Sequence, residues 1–360
     1  MTIICLSIIS LITILFSNTG NGFVNKRWYI KYRCPIYAII IFGFWVGLRY
    51  NPDIDPDFMN YWDVAQYGES FHEYDRFEFF PQKIAYCVYH LGLSPSWFFI
   101  TMGCILISFT VWAAVRLKDS YIPFIFYGLI LFYLKFDMNG MRQGVAMSIF
   151  LCSLTFIQEK KWKMYFLLII LAFGFHRSVV VWAPVYFLTF INWNRNSKKM
   201  LLLIILLMTM SVFSLLWLIQ EFSFIFVLMN MSNKVSGGDI DFIENETVSS
   251  GIGVILNYIR WAILLYYIPR IASKTHNNNL YIFLGIFLMG AVLYTFGKET
   301  IYLSRVALYP QIAELLMYPY LFEYFFKVKK NILMQSLLVF QVIAFTYANC
   351  DYFAGWNFVI

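Results

Sequence analysis

Residues 96–115 read SWFFITMGCILISFTVWAAV, an uncharged run of 20 residues. A helix of about 20 apolar residues crosses the ~30 Å hydrocarbon core of a bilayer, because each residue advances the helix by about 1.5 Å. Similar apolar segments recur along the chain, which is 61% hydrophobic and 13% charged. This composition excludes a soluble globular domain. It predicts an all-α, polytopic integral membrane protein with one domain over residues 1–360.

The apolar segments predict about 12 membrane helices. Their approximate ranges are 2–17, 35–50, 96–115, 121–135, 140–157, 163–176, 178–191, 200–219, 251–268, 280–296, 305–326 and 332–349. Most of the 27 lysines and arginines fall in alternate turns between these segments. Since cationic turns stay in the cytoplasm, this alternation places both termini and the remaining turns on the outer side.

Two longer loops are predicted on the outer side. The loop at 51–95 is acidic, and its segment 82–93 is moderately apolar, which makes it a candidate helix at the membrane interface. The loop at 220–250 is polar and contains Gly237 and Gly238, so it is a candidate lid. The acidic residues of the first loop are Asp53, Asp55, Asp57, Asp63, Glu69, Glu73, Asp75 and Glu78.

The charges and cysteines argue against two common classes of partner. The net charge of +7 comes from cations in topology-setting turns and not from one basic face, so no nucleic-acid partner is expected. The six cysteines have no metal-ligand spacing. The alternating aspartates of the first loop lack the glycine and glutamate that complete a calcium loop. We therefore predict no metal and no cofactor.

Five arginines lie inside apolar segments or at their outer ends. A cation at that depth costs several kcal/mol unless it is paired or faces a water-filled cavity. Guanidinium groups gathered at one membrane face therefore predict a site for a phosphate or another anion. The five are Arg49, Arg142, Arg177, Arg260 and Arg305.

Arg49 precedes the acidic loop, at a point where prolines end the helix. The loop carries carboxylates such as Asp57 and aromatic rings such as Tyr61 close to this arginine along the chain. The combination favours a carbohydrate or sugar-phosphate site. A solvated acidic loop without a ligand is the alternative.

Arg142 lies at the predicted start of a helix, where Asn139 can cap the first turn. Asn139, Arg142 and Gln143 have the i, i+3, i+4 spacing of residues that share one helical face. Free backbone N–H groups and the helix dipole already favour an anion at such a terminus. An arginine that reaches lipid headgroups is the alternative.

His176 lies between two apolar segments, next to Arg177 and Ser178. A neighbouring cation favours the neutral imidazole, which is the form that accepts a proton. His176 is therefore a candidate general base for a sugar hydroxyl. A histidine satisfied within the protein core is the alternative.

Two further arginines lie in the last third of the chain. Arg305 shares a helical face with Tyr309 at an outer boundary, where headgroup contact is again the alternative reading. Arg260 lies about 14 Å into its helix, at 1.5 Å per residue, and Glu314 lies at a similar depth in another helix. The sequence leaves open whether Arg260 has a functional role or forms a buried pair with Glu314.

Taken together, these motifs resemble the EpsG-like group of the Wzy polymerases, bacterial enzymes that polymerise O-antigen and exopolysaccharide repeat units. The chain departs from the family pattern by about two extra residues before Asp57 and by lacking the glycine that precedes the family aspartate. Both Asp55 and Asp57 are therefore candidates for that role, and the spacing to Tyr61 favours Asp57. The matching positions are Arg49-Tyr50, Asp57, Tyr61, Asn139, Arg142, Gln143, His176, Ser178, Arg305 and Tyr309.

The resemblance implies a metal-independent glycosyl transfer at the periplasmic face of the bacterial inner membrane. The growing glycan on undecaprenyl diphosphate would move onto the non-reducing end of a new lipid-linked repeat unit. A flippase and a chain-length regulator of the same pathway are implied partners. The implied roles are catalysis by His176 or Asp57, diphosphate binding by Arg49, Arg142 and Arg305, and substrate binding by Tyr61, Asn139, Gln143, Ser178 and Tyr309.

Two alternative functions use similar chemistry. An O-antigen ligase shares the donor and the arginines, but its histidine usually lies in a larger outer loop. A lipid-linked oligosaccharide flippase or transporter also needs intramembrane cations, yet it more often shows internal repeats and charges in both halves of the membrane. Neither the sugar, the linkage, the anomeric outcome nor the oligomeric state follows from this sequence.

Overall fold

The computed structural model describes residues 49–50, 57–117, 140–190, 252–297, 301–327 and 357–358. Several predicted features lie outside these ranges. They are the helices 2–17, 121–135, 200–219 and 332–349, most of 35–50, the loop 220–250, residues Asp53, Asp55 and Asn139, and the side chain of Arg49.

Within the described ranges the chain forms nine α-helices. They are α1 Phe58–Tyr67, α2 Phe79–His90, α3 Ser96–Leu117, α4 Met141–Ile157, α5 Trp162–Phe173, α6 Ile252–Thr275, α7 Asn279–Gly297, α8 Ile301–Gln311 and α9 Tyr318–Lys327. Four 3₁₀ helices accompany them: Gly68–Ser70, Tyr74–Arg76, Arg177–Phe190 and Ile312–Leu316. Two short strands, β1 Arg49–Tyr50 and β2 Asn357–Phe358, pair antiparallel, with Arg49 opposite Phe358.

The predicted all-α class agrees with this helical architecture, to which the structure adds one strand pair. Helices α3, α4, α5 and α7 begin and end within a few residues of the predicted segments. In the described part of the chain, α3 alone combines the length and apolar composition of a membrane-spanning helix, while α4, α5 and α7 are apolar but shorter. The number of membrane spans and their orientation remain predictions.

Three predicted segments differ in detail from the structure. The segment predicted at 178–191 begins as a 3₁₀ helix over Arg177–Phe190 that contains Pro184, which cannot donate a backbone hydrogen bond. The segment 251–268 continues to Thr275, past Pro269. The segment 305–326 divides into α8, a 3₁₀ turn and α9 instead of one helix.

The acidic loop 51–95 folds into helices where the structure describes it. Helix α2 confirms the predicted helix at 82–93, although it begins and ends about three residues earlier. Helix α1 was not predicted, because its buried residues Phe58, Tyr61, Val64 and Ala65 alternate with polar residues in a short segment. The carboxylates described by the structure, from Asp57 to Glu78, therefore lie on helices or directly beside them.

Contacts divide the chain into two compact units. Unit 1 contains residues 1–155, 170–176 and 330–360, and unit 2 contains residues 156–169 and 177–329. In unit 1, helices α1, α2 and α3 contact one another. Phe58 stacks on Phe99 with ring centroids 4.8 Å apart, and both rings are fully buried. This aromatic core fixes the position of α1 on α3.

In unit 2, α7 and α8 approach each other very closely at Gly290. A Cβ atom at this position would lie 2.7 Å from the carbonyl oxygen of Ala307 and from the amide nitrogen of Gln311. The side-chain amide of Gln311 donates a hydrogen bond to the carbonyl of Gly290 at 3.2 Å. The Trp182 indole donates to the carbonyl of Val306 at 3.0 Å, which joins the long 3₁₀ helix to α8.

Candidate functional site

Arg142 lies in the first turn of α4 and makes hydrogen bonds to three residues of the acidic loop. Its Nη1 donates to Oε2 of Glu78 at 2.7 Å and, over 3.4 Å, to the backbone carbonyl of Arg76. Its Nε donates to the Tyr61 hydroxyl at 3.4 Å. The helix start carrying the predicted anion-binding arginine is thus joined to the folded loop by charge-assisted contacts.

Two aromatic rings also hold the guanidinium of Arg142. Its central carbon lies 4.6 Å from the Phe77 ring centroid and 5.7 Å from that of Tyr61, and both rings are buried. Such cation–π contacts add to the hydrogen bonds that orient the group. The Arg142 side chain is nevertheless 27% exposed. This partial exposure leaves the side chain within reach of an external anion.

Glu78 contacts His176 as well as Arg142. Nδ1 of His176 lies 3.4 Å from Oε1 of Glu78, while the other carboxylate oxygen binds Arg142. The Glu78 side chain is only 9% exposed, whereas His176 and Arg142 are each 27% exposed. One buried carboxylate therefore joins the predicted anion-binding arginine to the predicted general base.

A close backbone contact explains why Glu78 reaches His176. The amide of Phe80 donates to the carbonyl of Gly174 at 3.0 Å, and Phe80 stacks on Phe175 with ring centroids 5.0 Å apart. A Cβ atom at Gly174 would lie 2.4 Å from the Phe80 ring, so any side chain here would displace that ring. Glu78 directly precedes α2, and this contact sets its distance from His176.

A second brace holds the loop in the same region. The Tyr74 hydroxyl donates to the carbonyl of Gln82 at 3.2 Å, and the side-chain amide of Gln82 donates back to the carbonyl of Tyr74 at 3.3 Å. Burial raises the pKa of Tyr74, and nearby Glu69 raises it further. The hydroxyl therefore stays protonated and keeps its role as donor.

Ser178 and Tyr309 are brought together in unit 2. The hydroxyl of Ser178 donates to the hydroxyl of Tyr309 at 3.2 Å, and both residues are buried. Arg305 lies one helical turn before Tyr309 and is exposed.

Arg260 forms the buried pair that the sequence left open. Its Nε lies 3.1 Å from Oε2 of Glu314, with the two side chains 7% and 0% exposed. The hydroxyl of Tyr318 donates to the same carboxylate oxygen at 3.3 Å. In a pair this deeply buried each charge compensates the other.

The remaining predicted site residues have simpler positions. Asp57 directly precedes α1 and is half-buried, without a side-chain cap hydrogen bond to that helix. Gln143 is buried in α4, next to Arg142 along the chain. Arg49 belongs to β1. The roles assigned to these residues stay predictions.

Sequence reasoning missed Glu78 as a site residue, because it counted this glutamate among eight similar acids of the loop. Only its position just before the apolar Phe79-Phe80-Pro81 segment distinguishes it from the others. Proline near a helix start indicates that α2 begins there, so Glu78 stands at an ordered boundary. In the part of the chain that the structure describes, no group of three or more His, Cys, Asp or Glu side chains is placed to hold a metal ion.

The chain matches a protein-family model. The model of the EpsG family matches residues 32–360, a range that includes Glu78, Arg142, His176 and the residues of unit 2. No curated protein and no solved structure matches the chain.

Proposed function

Because the chain belongs to the EpsG family, a family of Wzy-like polymerases, we propose that it lengthens a lipid-linked bacterial polysaccharide. The family and the apolar helices together indicate a membrane protein with a polymerase-like role in polysaccharide biosynthesis. The finer proposal is a glycosyltransferase of the inner membrane whose active face is periplasmic. Its donor and acceptor would both be oligosaccharides on undecaprenyl diphosphate.

In the proposed reaction, a hydroxyl at the non-reducing end of a new repeat unit attacks the anomeric carbon of the growing glycan. The bond between that carbon and the diphosphate oxygen breaks, and its electron pair leaves with undecaprenyl diphosphate. The proton of the attacking hydroxyl passes to a base on the protein. Since the departing diphosphate gains negative charge, the reaction needs fixed cations close to it.

One observation carries this proposal: the oriented guanidinium of Arg142 beside a histidine–carboxylate pair. Glu78, Tyr61 and Phe77 hold Arg142 in place, and its side chain remains 27% exposed. A guanidinium held in advance stabilises developing charge without reorganising during the reaction. His176, on the other side of Glu78, would take the acceptor proton, with Asp57 as the alternative base.

The other residues receive proposed roles from their motif positions. Arg49 and Arg305 would bind the diphosphate together with Arg142. Tyr61, Asn139, Gln143, Ser178 and Tyr309 would support or contact the glycan. Because Tyr61, Gln143, Ser178 and Tyr309 are buried, we propose that they act mainly by fixing neighbouring site groups. A flippase that supplies repeat units and a chain-length regulator are the proposed partners.

A deletion strain tests the proposed function. If the protein is a polymerase, the ladder of long polysaccharide chains disappears while single repeat units remain attached to their acceptor. Complete absence of attached units indicates a ligase or a flippase instead and contradicts the proposal. Complementation with the intact gene must restore the ladder.

Two substitutions test the site in the complemented strain. We expect Arg142→Ala and Arg305→Ala to abolish long chains while lipid-linked single units persist and the protein still inserts. Arg270→Ala is the matched control, because Arg270 contacts Tyr266 of its own helix and has no proposed role. Normal chain lengths in both site variants would contradict the assignment of these arginines.

A further inference from the structure

We infer that helix α2 and the turn after it form a docking surface for lipid, with α2 lying along the outer leaflet where headgroups meet acyl chains. This lipid-docking surface belongs to unit 1. Only its consequence for polymerisation rests on the proposed function. The surface consists of Phe79, Lys83, Tyr86, His90, Leu91 and Leu93.

The two faces of α2 have opposite surroundings. Pro81, Ala85 and Val88 are buried, and the helix contacts α1 and α3. The opposite face is exposed, apart from one half-buried tyrosine. Its members have the i, i+4, i+7, i+11 spacing of a single helical stripe. They are Phe79, Lys83, Tyr86 and His90.

Both ends of α2 expose large apolar side chains. Phe79 at the start is 60% exposed, and Leu91 directly after the end is 70% exposed. The helix has 12 residues, so these ends lie about 18 Å apart. A helix standing upright on the membrane would leave one of the two ends in water. A helix lying along the membrane places both in the boundary between headgroups and acyl chains.

The turn after α2 is a fixed corner that points its leucines outward. The amide of Gly92 donates to the carbonyl of Tyr89 at 3.0 Å, and the amide of Leu93 donates to the carbonyl of Val88 at 3.0 Å. With a φ of 64° at Gly92, these bonds form a Schellman motif. A Cβ atom at Gly92 would meet no atom of the described residues within 4 Å. The corner therefore faces outward with a defined shape.

Continuity with α3 identifies the medium that this corner faces. Helix α3 begins at Ser96, three residues after Leu93, and it has the length and composition of a membrane-spanning helix. Trp97 in its first turn is exposed, and tryptophan is enriched where a spanning helix enters the bilayer. Because α3 enters the membrane at this point, the exposed corner just before it lies at the membrane surface.

The charges of the surface also suit lipid headgroups. The segment 79–118 contains no Asp or Glu, whereas the segment 51–78 contains all eight acids of the loop. Nζ of Lys83 lies 5.4 Å from the ring centroid of Tyr86, and the rings of Tyr86 and His90 are 4.1 Å apart. Lysine and tyrosine place apolar atoms against a membrane while their polar ends reach the headgroups. Anionic headgroups attract such a surface and repel the acidic segment before it.

The lipid-docking surface explains how the candidate site meets a lipid-linked substrate. Glu78 directly precedes α2 and accepts a hydrogen bond from Arg142. With α2 along the membrane, these two residues lie close to the level of the headgroups. The diphosphate of a lipid-linked oligosaccharide lies at the same level, because its lipid chain is in the bilayer. The surface thus holds the guanidinium of Arg142 at the height of the proposed leaving group.

Fluorescence quenching by brominated lipid tests this arrangement in the full-length protein. Vesicles of phosphatidylethanolamine and phosphatidylglycerol carry bromine on the acyl chains, close to the headgroups. A fluorescent amino acid replaces Phe79, Leu91 or His72 in separate variants. His72 is the matched control, because it is exposed in unit 1 but lies in the acidic segment. We expect a strong loss of fluorescence at positions 79 and 91 and none at position 72.

Three results would overturn the inference. Equal fluorescence at the three positions would show that α2 does not contact lipid. Quenching at position 91 alone would show that α2 stands away from the membrane. Cross-linking of position 91 to a second copy, without quenching, would identify a protein interface instead.

Two aspartates at the corner test the consequence for polymerisation. Leu91→Asp with Leu93→Asp places two charges in the boundary, so quenching at position 79 should fall and polymer should decrease several-fold. Leu91→Met with Leu93→Met is the matched control and should preserve both. Full quenching at position 79 in the aspartate variant would contradict the role of the leucines. Thermal unfolding in detergent identifies a variant that fails to fold, and the probes in the otherwise unchanged protein then decide.

The inference and the proposed function fail separately. If Arg142→Ala abolishes polymer but positions 79 and 91 are not quenched, the proposed function stands and the lipid-docking surface is wrong. If both positions are quenched but Arg142→Ala and Arg305→Ala leave polymer length normal, the surface stands and the assigned site is wrong.

Discussion

Each of the two units contains an arginine–glutamate contact of similar length, yet the two contacts have different surroundings. Arg142 and Glu78 in unit 1 approach to 2.7 Å, and Arg260 and Glu314 in unit 2 approach to 3.1 Å. The side chain of Arg142 is 27% exposed, whereas that of Arg260 is 7% exposed. The third member also differs: His176 contacts Glu78, and Tyr318 donates to Glu314.

We propose from this difference that the Arg142–Glu78 contact serves binding and the Arg260–Glu314 contact serves stability. Arg260 and Glu314 compensate each other away from solvent, so loss of either leaves a buried charge. Arg142 remains partly exposed, and Glu78 also contacts His176, a group that can exchange a proton. We therefore expect substitutions of Arg260 or Glu314 to reduce stability and substitutions of Arg142 or Glu78 to reduce activity.

The largest effect is expected from Glu314→Ala. The variant leaves Arg260 buried without its carboxylate, which should lower the free energy of unfolding by about 3–5 kcal/mol. Thermal unfolding in detergent and the yield of inserted protein measure the loss. The double variant Arg260→Met with Glu314→Ala should recover part of the stability, since no unpaired charge remains. Additive losses would show that the two side chains act independently.

The next largest effect is expected from Arg142→Lys, which reports on activity. Lysine keeps the charge but cannot reproduce the planar arrangement of donors that contacts Glu78, Tyr61 and an external anion together. Polymerisation should fall by about 100-fold, the usual cost of a lost transition-state donor. The midpoint of thermal unfolding should change little. A large loss of stability with normal polymer length would reverse the proposed difference between the pairs.

Two glycines test the same contrast through the backbone. Gly290→Ala places a Cβ atom 2.7 Å from backbone atoms of α8, so unit 2 should lose about 1–3 kcal/mol through overpacking. Gly174→Ala meets the ring of Phe80, which can rotate, and it should displace Glu78 from His176. Thermal unfolding and polymer length, measured together, should show a stability defect for the first variant and mainly an activity defect for the second.

The smallest effects are expected from removing single hydroxyls. Tyr61→Phe keeps the ring beside Arg142 but removes one hydrogen bond, and Ser178→Ala removes the hydrogen bond to Tyr309. Each loss should amount to about 0.5–1.5 kcal/mol. Polymerisation assays should show a decrease of several-fold for Tyr61→Phe, and thermal unfolding should register Ser178→Ala. A complete loss of polymer in Tyr61→Phe would indicate that its hydroxyl contacts the substrate directly.

Several features of the fold follow from local sequence properties. The uncharged run at 96–115 predicted α3, because apolar length alone distinguishes a spanning helix. The start of α4 near Arg142 was predicted from the residues around it. Helix α1 was missed, since a ten-residue segment with mixed polar and apolar residues carries a weak periodic signal. The long 3₁₀ helix at Arg177–Phe190 was missed too, because its apolar composition equally suits an α-helix.

The sequence by itself determined that Arg142, His176 and Arg260 need charged or hydrogen-bonding partners. Cations and histidines in apolar segments are costly without them. It also identified Glu314 as a candidate partner of Arg260, since it offered few other acids at comparable depth. Only the tertiary structure decided which acid of the loop 51–95 meets Arg142 and His176. Eight carboxylates of that loop have similar local chemistry, and the choice of Glu78 depends on the contact of Phe80 with Gly174, residues far apart in the chain.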